Sequence, residues 1–131
     1  MFSLPSLALG KTPEYGISLL AVKSAGYKLA AQKLLLSEPI SAAEAVAMGI
    51  VNHIVSDEKV TAAADAAAAR LASLPPTALK ATKRLLKAAY LSGLSEQRKL
   101  ETEIADQLEG NAETIEAFNA FLEKRSPKFE D

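Results

Sequence analysis

Cysteine and tryptophan are absent from the 131 residues, and histidine occurs once, at position 53. Without cysteine there is no disulfide, no thiol nucleophile and no thiolate-bound metal. One histidine alone does not make a zinc site of ordinary composition. Lysine and arginine number 15 against 16 acidic residues, a balance that argues against nucleic acid as a main partner, because phosphate neutralisation needs a basic excess.

Long apolar runs are also missing: no stretch approaches the roughly 20 residues of a membrane span. The first ten residues lack a basic start and contain Pro5, so we do not interpret them as a signal peptide, and we expect a cytoplasmic protein. Aromatic residues are few, at 5%, and 25 of the apolar residues are alanines. The expected outcome is a single domain of alanine-rich helices that pack closely and need partners to complete their cores.

Hydrophobic spacing predicts a mostly α fold with one or two short strands. Seven helices are predicted, at about residues 14–22, 27–36, 41–48, 59–73, 76–91, 95–109 and 112–125. Ser41 and Glu44 form a Ser-x-x-Glu capping box, and Asn111 is a good N-cap for the last helix. The convincing strand covers residues 50–55, where apolar side chains alternate between the two sides.

Residues 9–18, which read Leu-Gly-Lys-Thr-Pro-Glu-Tyr-Gly-Ile-Ser, form the segment best suited to chemistry. Gly10 and Gly16 allow a tight turn or a close approach, and Pro13 suits the first turn of a helix. Glu14 has apolar residues on both sides in the sequence. A carboxylate held in apolar surroundings has a raised pKa and can carry a proton near neutral pH. The commoner interpretation is an acidic residue favoured by the helix dipole.

Four stretches together resemble the crotonase superfamily, the enoyl-CoA hydratase/isomerase group. They are residues 9–18, residues 38–52 with Glu-Pro-Ile-Ser-Ala-Ala-Glu-Ala and Gly-Ile-Val-Asn, residues 74–83 with Leu-Pro-Pro-Thr-Ala-Leu-Lys-Ala-Thr-Lys, and residues 120–129 with Ala-Phe-Leu-Glu-Lys-Arg-Ser-Pro-Lys-Phe. They follow one another in the family's order. The resemblance is to the C-terminal half of such proteins and is closest to Δ3,Δ2-enoyl-CoA isomerase-like members.

The resemblance implies the C-terminal half of a crotonase-type ββα spiral, an α/β fold, with its helical oligomerisation region. Residues 1–56 would end the spiral core and carry the catalytic segment, and residues 57–131 would form a helical trimerisation and lid region. Family members bind the thioester oxygen of an acyl-CoA with two backbone N–H groups, both on segments N-terminal to this chain. Because loss of one such donor typically costs ~10²–10³ in rate, we expect the chain alone to be nearly inert.

The family offers two glutamate positions in this half. The hydratase-type position is occupied by Ser6, and a serine cannot act as the carboxylate base that activates water. The isomerase position, after a proline, is filled by Glu14, so the resemblance favours isomerisation. Glu14 would then take a proton from C2 of a 3-enoyl-CoA and return it at C4. The alternatives are a non-catalytic truncated oligomerisation module and a hydratase relative.

The resemblance also implies partners. Phe121 and Lys124 match positions that contact the adenine–ribose end of CoA, often from a neighbouring subunit. A phenylalanine in a core beside a solvated lysine is the commoner interpretation of this pair. We therefore expect an acyl-CoA thioester as substrate and a homo-oligomer, a trimer or hexamer. We expect no metal, and no cofactor beyond the coenzyme A of the substrate.

Overall fold

The computed structural model describes residues 1–129, and these residues are mostly helical. The seven α-helices are α1 Ile17–Ala25, α2 Tyr27–Leu35, α3 Ala42–Ala47, α4 Val60–Ala72, α5 Pro76–Tyr90, α6 Leu94–Leu108 and α7 Ala112–Glu123. Turns of 3-10 helix lie at Leu7–Leu9 and Asp57–Lys59. The prediction of a mostly α chain is confirmed. None of the helices in the described chain combines the length and apolar character that crossing a bilayer demands.

Local sequence signals set several helix starts. Ser41 Oγ accepts a hydrogen bond from Glu44 N at 3.2 Å, and the Glu44 carboxylate accepts one from Ser41 N at 2.8 Å. The predicted capping box is therefore present at α3. Asn111 Oδ1 accepts from Glu113 N at 2.7 Å at the start of α7, and Pro76 occupies the first turn of α5.

The prediction of a strand at residues 50–55 is wrong. The backbone N–H groups of Ile50 and Val51 instead donate to the carbonyl of Ala45 in α3, at 2.9 and 3.2 Å. Alternating apolar residues form a strand only where a neighbouring chain segment supplies the hydrogen-bond ladder. Residues 1–129 contain no strand. Phe2 and Ile40 form an isolated antiparallel bridge, which is too short to be a strand.

The chain divides into two compact units, one made of Met1–Val51 with the chain from Gly93 onward, the other of Asn52–Ser92. The resemblance implies a functional boundary after residue 56, which differs from this division into compact units and stays a prediction. Of the region 57–131 on its C-terminal side, residues 130 and 131 lie outside the described residues.

The first unit has a small core. Helix α1 packs against α2 and α6, and α7 packs against the turn Leu7–Leu9. Three buried side chains form the centre, with four partly buried ones around them: Ile40, Ala45 and Met48, then Leu4, Ala25, Leu29 and Val51. The other buried hydrophobic residues of the described chain are alanines, namely Ala30, Ala117 and Ala120. Burial of a large aliphatic side chain contributes roughly 1.5–3 kcal/mol, so this core stabilises the unit modestly, as the alanine content predicts.

A buried lysine joins α2 to α3. Lys33 is 4% exposed, and its Nζ lies 2.7 Å from Glu44 Oε1 and 3.3 Å from Glu38 Oε2. It also donates to Pro39 O at 3.2 Å. The hydrogen bond from Lys33, with those from Ser41, lowers the pKa of Glu44 to about 2, and the same pairing raises the pKa of Lys33.

The second unit has no buried residue in either helix. Helix α4 packs against the 3-10 turn Asp57–Lys59 that precedes it. Large apolar side chains remain exposed on this unit, at Ile54, Val55, Val60, Leu71, Leu74, Leu85, Leu86, Tyr90 and Leu91. Within the described residues, the helical conformation of α4 and α5 is therefore supported mainly by the intrinsic helix propensity of their residues and little by burial of side chains.

Candidate active site

Glu14 lies on a short segment, residues 11–15, that is held at both ends in the first unit. At the upstream end, Gly10 has φ +68°, and a Cβ added to it would lie 2.7 Å from Thr114 Cα. Thr114 Oγ1 donates to Gly10 O at 2.8 Å. Only glycine fits this left-handed, crowded position, so the segment starts directly against α7.

The downstream end is fixed by α6. Gly16 has φ +85°, and a Cβ added to it would overlap Leu94 Cδ1. Gly16 N donates to Glu101 Oε2 at 2.5 Å, and Ser18 N donates to Glu101 Oε1 at 3.0 Å. The Ser18 hydroxyl donates to the same Oε1 and accepts from Gln97 Nε2 at 2.8 Å. A buried carboxylate from a distant helix thus caps the N-terminus of α1.

This cap corrects two expectations about Glu14. Helix α1 begins at Ile17 and not at residue 14, because Tyr15 and Gly16 have φ values of +62° and +85° and turn the chain before the helix. No acidic residue lies in the first turn of α1. The carboxylate beside the N-terminus of this helix therefore belongs to Glu101, and Glu14 remains free of that structural role.

Glu14 borders an open cavity of about 270 Å³. The lining residues come from the Glu14 segment, from α6 and from the turn into α7: Lys11, Thr12, Glu14, Ala105, Asp106, Leu108, Glu109, Gly110 and Thr114. The expectation of apolar surroundings for Glu14 is wrong for the described residues, since Glu14 is exposed and charged side chains share the lining. The apolar residues that flank it in sequence belong to the turn Leu7–Leu9 and to α1, and none of them lines this cavity. Thr12 Oγ1 is buried with no hydrogen-bond partner among the described residues.

The other predicted site residues lie elsewhere. Ser6 precedes the turn Leu7–Leu9, and its carbonyl accepts from Lys11 N at 2.8 Å. Phe121 is 63% exposed, and Lys124 is exposed at the C-terminal end of α7, where its φ is +55°. Neither Phe121 nor Lys124 lines the cavity beside Glu14, so their contact with CoA stays a prediction. Within residues 1–129 no group of three or more histidine or acidic side chains is arranged to hold a metal ion.

Sequence reasoning missed Glu101 because it selected the wrong face of α6. Apolar spacing within residues 95–109 predicts a buried stripe of Leu100, Ile104 and Leu108, but Leu100 and Ile104 are 47% and 39% exposed and only Leu108 is partly buried. The face that packs inward contains Leu94, Gln97, Glu101, Ala105 and Leu108. The sequence signal for this face is that Glu101 lies seven residues from both Leu94 and Leu108, which places all three on one side of the helix.

The chain is similar to known proteins in sequence and in fold. The family model described as enoyl-CoA hydratase/isomerase matches residues 1–131. The 2,3-dehydroadipyl-CoA hydratase of Escherichia coli K12 is 32% identical over 132 residues, which are 98% of this chain and 50% of that protein. A crystal structure of an enoyl-CoA hydratase from Mycobacterium avium subsp. paratuberculosis K-10 has a TM-score of 0.90 and 33% identity, over 99% of this chain and 53% of that one. An enoyl-CoA hydratase/isomerase from Pseudoalteromonas atlantica T6c has a TM-score of 0.87 and 32% identity, over 96% and 51%.

The helical arrangement is thus half of a crotonase-type fold, as the resemblance implied. The chain belongs to the enoyl-CoA hydratase/isomerase family, within the crotonase superfamily. It spans about half the length of the curated relatives it matches.

Proposed function

We propose that Glu14 is the acid–base residue of a 3-enoyl-CoA to 2-enoyl-CoA isomerase to which this chain contributes. The observation that carries the proposal is the location of Glu14 on a segment fixed at both ends, with its side chain at the edge of a cavity. Ser6, in the hydratase-type position, offers no carboxylate to activate water. Family membership supports acyl-CoA chemistry in general, and the choice of isomerisation depends on these two residues.

The chemistry needs one carboxylate. Glu14 removes a proton from C2 of the 3-enoyl thioester, and the resulting dienolate takes the proton back at C4, which moves the double bond into conjugation. The negative charge of the dienolate needs hydrogen-bond donors at the thioester oxygen. By resemblance, these donors are two backbone N–H groups on the half of family members that this chain does not match.

The open cavity indicates how the site would be completed. Ligand pockets typically enclose ~300–1,000 Å³, so the 270 Å³ beside Glu14 suits the acyl end of a substrate and not a whole CoA thioester. An additional polypeptide surface over Glu14 would exclude water and keep the abstracted proton from exchanging. A homotrimer or hexamer, with Phe121 and Lys124 against the adenine–ribose end of CoA, extends the proposal.

The test is incubation of a 3-enoyl-CoA with the chain and with the half of a matched relative that this chain does not span, which by resemblance supplies the two donors at the thioester oxygen. The readout is the absorbance of the conjugated product. Glu14→Gln keeps the size of the side chain and removes its proton transfer, so the rate should fall by about 10²–10⁴. Glu103→Gln is the matched control, because Glu103 is an exposed α6 carboxylate that does not line the cavity. Equal rates for Glu14→Gln and the unmodified chain would remove Glu14 from this role.

The same samples separate the alternatives. The relatives named above are hydratases or hydratase/isomerases, so a 2-enoyl-CoA is offered as a second substrate. Addition of water to it, without isomerisation of the 3-enoyl-CoA, would contradict the proposal in favour of a hydratase. Absence of both reactions would favour the non-catalytic module.

A further inference from the structure

Glu101 is the buried acidic side chain of residues 1–129, and the proposed chemistry does not use it. It is 5% exposed, and it accepts hydrogen bonds from Gly16 N, Ser18 N and the Ser18 hydroxyl. These donors lie 85 and 83 residues away in sequence. They immediately follow the segment that carries Glu14.

We infer that Glu101 is a positioning residue, which fixes the downstream end of residues 11–15 and so aims Glu14 at the cavity. The inference rests on the proposed function for its consequence in turnover, although the positioning itself is a property of the fold. Gly16 is two residues from Glu14, and the other anchor, between Gly10 and Thr114, holds only the upstream end. Without the cap, the downstream end would keep the turn hydrogen bond from Ile17 N to Glu14 O at 3.2 Å and the packing of α1 on α6, but it would lose the carboxylate that fixes Gly16 and Ser18.

A carboxylate is the group that this position requires. Its two oxygens accept from Gly16 N and Ser18 N at the same time, whereas a glutamine would present an NH₂ donor to one of these N–H groups. Desolvation of the charge is offset by three donors and by the N-terminus of α1. Gln97, four residues before Glu101 on the same face, donates to Ser18 Oγ at 2.8 Å and orients its hydroxyl toward Glu101.

The experiment is NMR of the full 131-residue chain labelled with ¹⁵N. In the unmodified chain, the Gly16 and Ser18 amide protons should exchange slowly with solvent, because both donate to the Glu101 carboxylate. In Glu101→Gln this protection should fall, and backbone order parameters at residues 12 and 14–16 should fall from about 0.85 to below about 0.6. Ser18→Ala keeps both N–H donors and loses only the hydroxyl, so it should reduce the order of these residues by a smaller amount. It replaces Glu101→Gln as the test variant if Glu101→Gln does not fold.

Two controls distinguish positioning from a general loss of structure. Glu103→Gln removes an exposed carboxylate from the same helix and should leave residues 12–16 ordered. Glu44→Gln weakens the Lys33 cluster elsewhere in the first unit and should also leave them ordered. Equal loosening of residues 12–16 in Glu44→Gln, or unchanged order in Glu101→Gln, would overturn the inference.

Turnover supplies an independent readout. A misplacement of about 1 Å can cost ~10² in rate, so Glu101→Gln should lower kcat for 3-enoyl-CoA isomerisation by about that factor with KM nearly unchanged. A change in KM alone would overturn the positioning role. Absence of turnover in the unmodified chain, with the complementing half of a relative present, would instead overturn the proposed function, and the NMR result would still decide the role of Glu101.

Discussion

Replacement of Gly10 by alanine tests the close contact between the Glu14 segment and α7. The glycine has φ +68° and ψ +22°, a left-handed conformation that costs a residue with a Cβ roughly 1–2 kcal/mol. The new Cβ would lie 2.7 Å from Thr114 Cα and 3.2 Å from Ala117 Cβ. Because the nearest atom belongs to backbone, no change of rotamer relieves the contact, and overpacking of this kind costs typically ~1–3 kcal/mol. The free energy of unfolding should fall by about 2–5 kcal/mol in total.

Gly93→Ala provides the matched control. Gly93 has φ +79° and ψ 0°, so it carries the same conformational cost, but a Cβ there would meet no atom within 4 Å. Urea unfolding followed by far-ultraviolet circular dichroism measures both variants against the unmodified chain. Gly10→Ala should lose about 1–3 kcal/mol more than Gly93→Ala. Equal losses would refute the contact, and with it the upstream anchor of the Glu14 segment.

Three further predictions concern stability. Ser41→Ala, which removes half of the capping box, should lower the free energy of unfolding by about 1 kcal/mol in urea titrations; an unchanged midpoint would contradict this. Asn111→Ala should cost a similar ~1 kcal/mol at α7, with Asn111→Asp as the variant that retains the cap. Hydrogen bonds from Lys33 and Arg125 lower the pKa values of Glu44 and Glu116 to about 2, below the ordinary 4.5, so the stability they contribute is present above about pH 4.5 and is lost as the pH falls toward 2. Melting temperatures between pH 2 and 7 should show this loss, and Glu44→Gln should make the profile shallower.

The features that the sequence predicts well are local. Ser41 with Glu44, and Asn111, act on backbone groups within three residues, so their caps follow from spacing alone. The two glycines around Glu14 were expected to allow tight turns or close approaches, and both have positive φ and meet neighbouring helices. Family membership was also accessible, because four short motifs in the correct order carry it.

The features that failed depend on distant parts of the chain. A strand at residues 50–55 needs a partner that adjacent sequence does not provide. The cavity that Glu14 borders is lined by Asp106 and Glu109, more than ninety residues further along, and not by the apolar residues adjacent to Glu14 in sequence. Glu101 was overlooked because a helix presents its buried face only after tertiary packing selects it.

The reach of the Glu101 cap has a consequence for biosynthesis. Its acceptor oxygens belong to a residue made 85 positions after Gly16, and ribosomes add about 5–20 residues each second. The first turn of α1 therefore waits roughly 4–17 s for its carboxylate to be synthesised. The loop bearing Glu14 is thus among the last portions of a nascent polypeptide to mature.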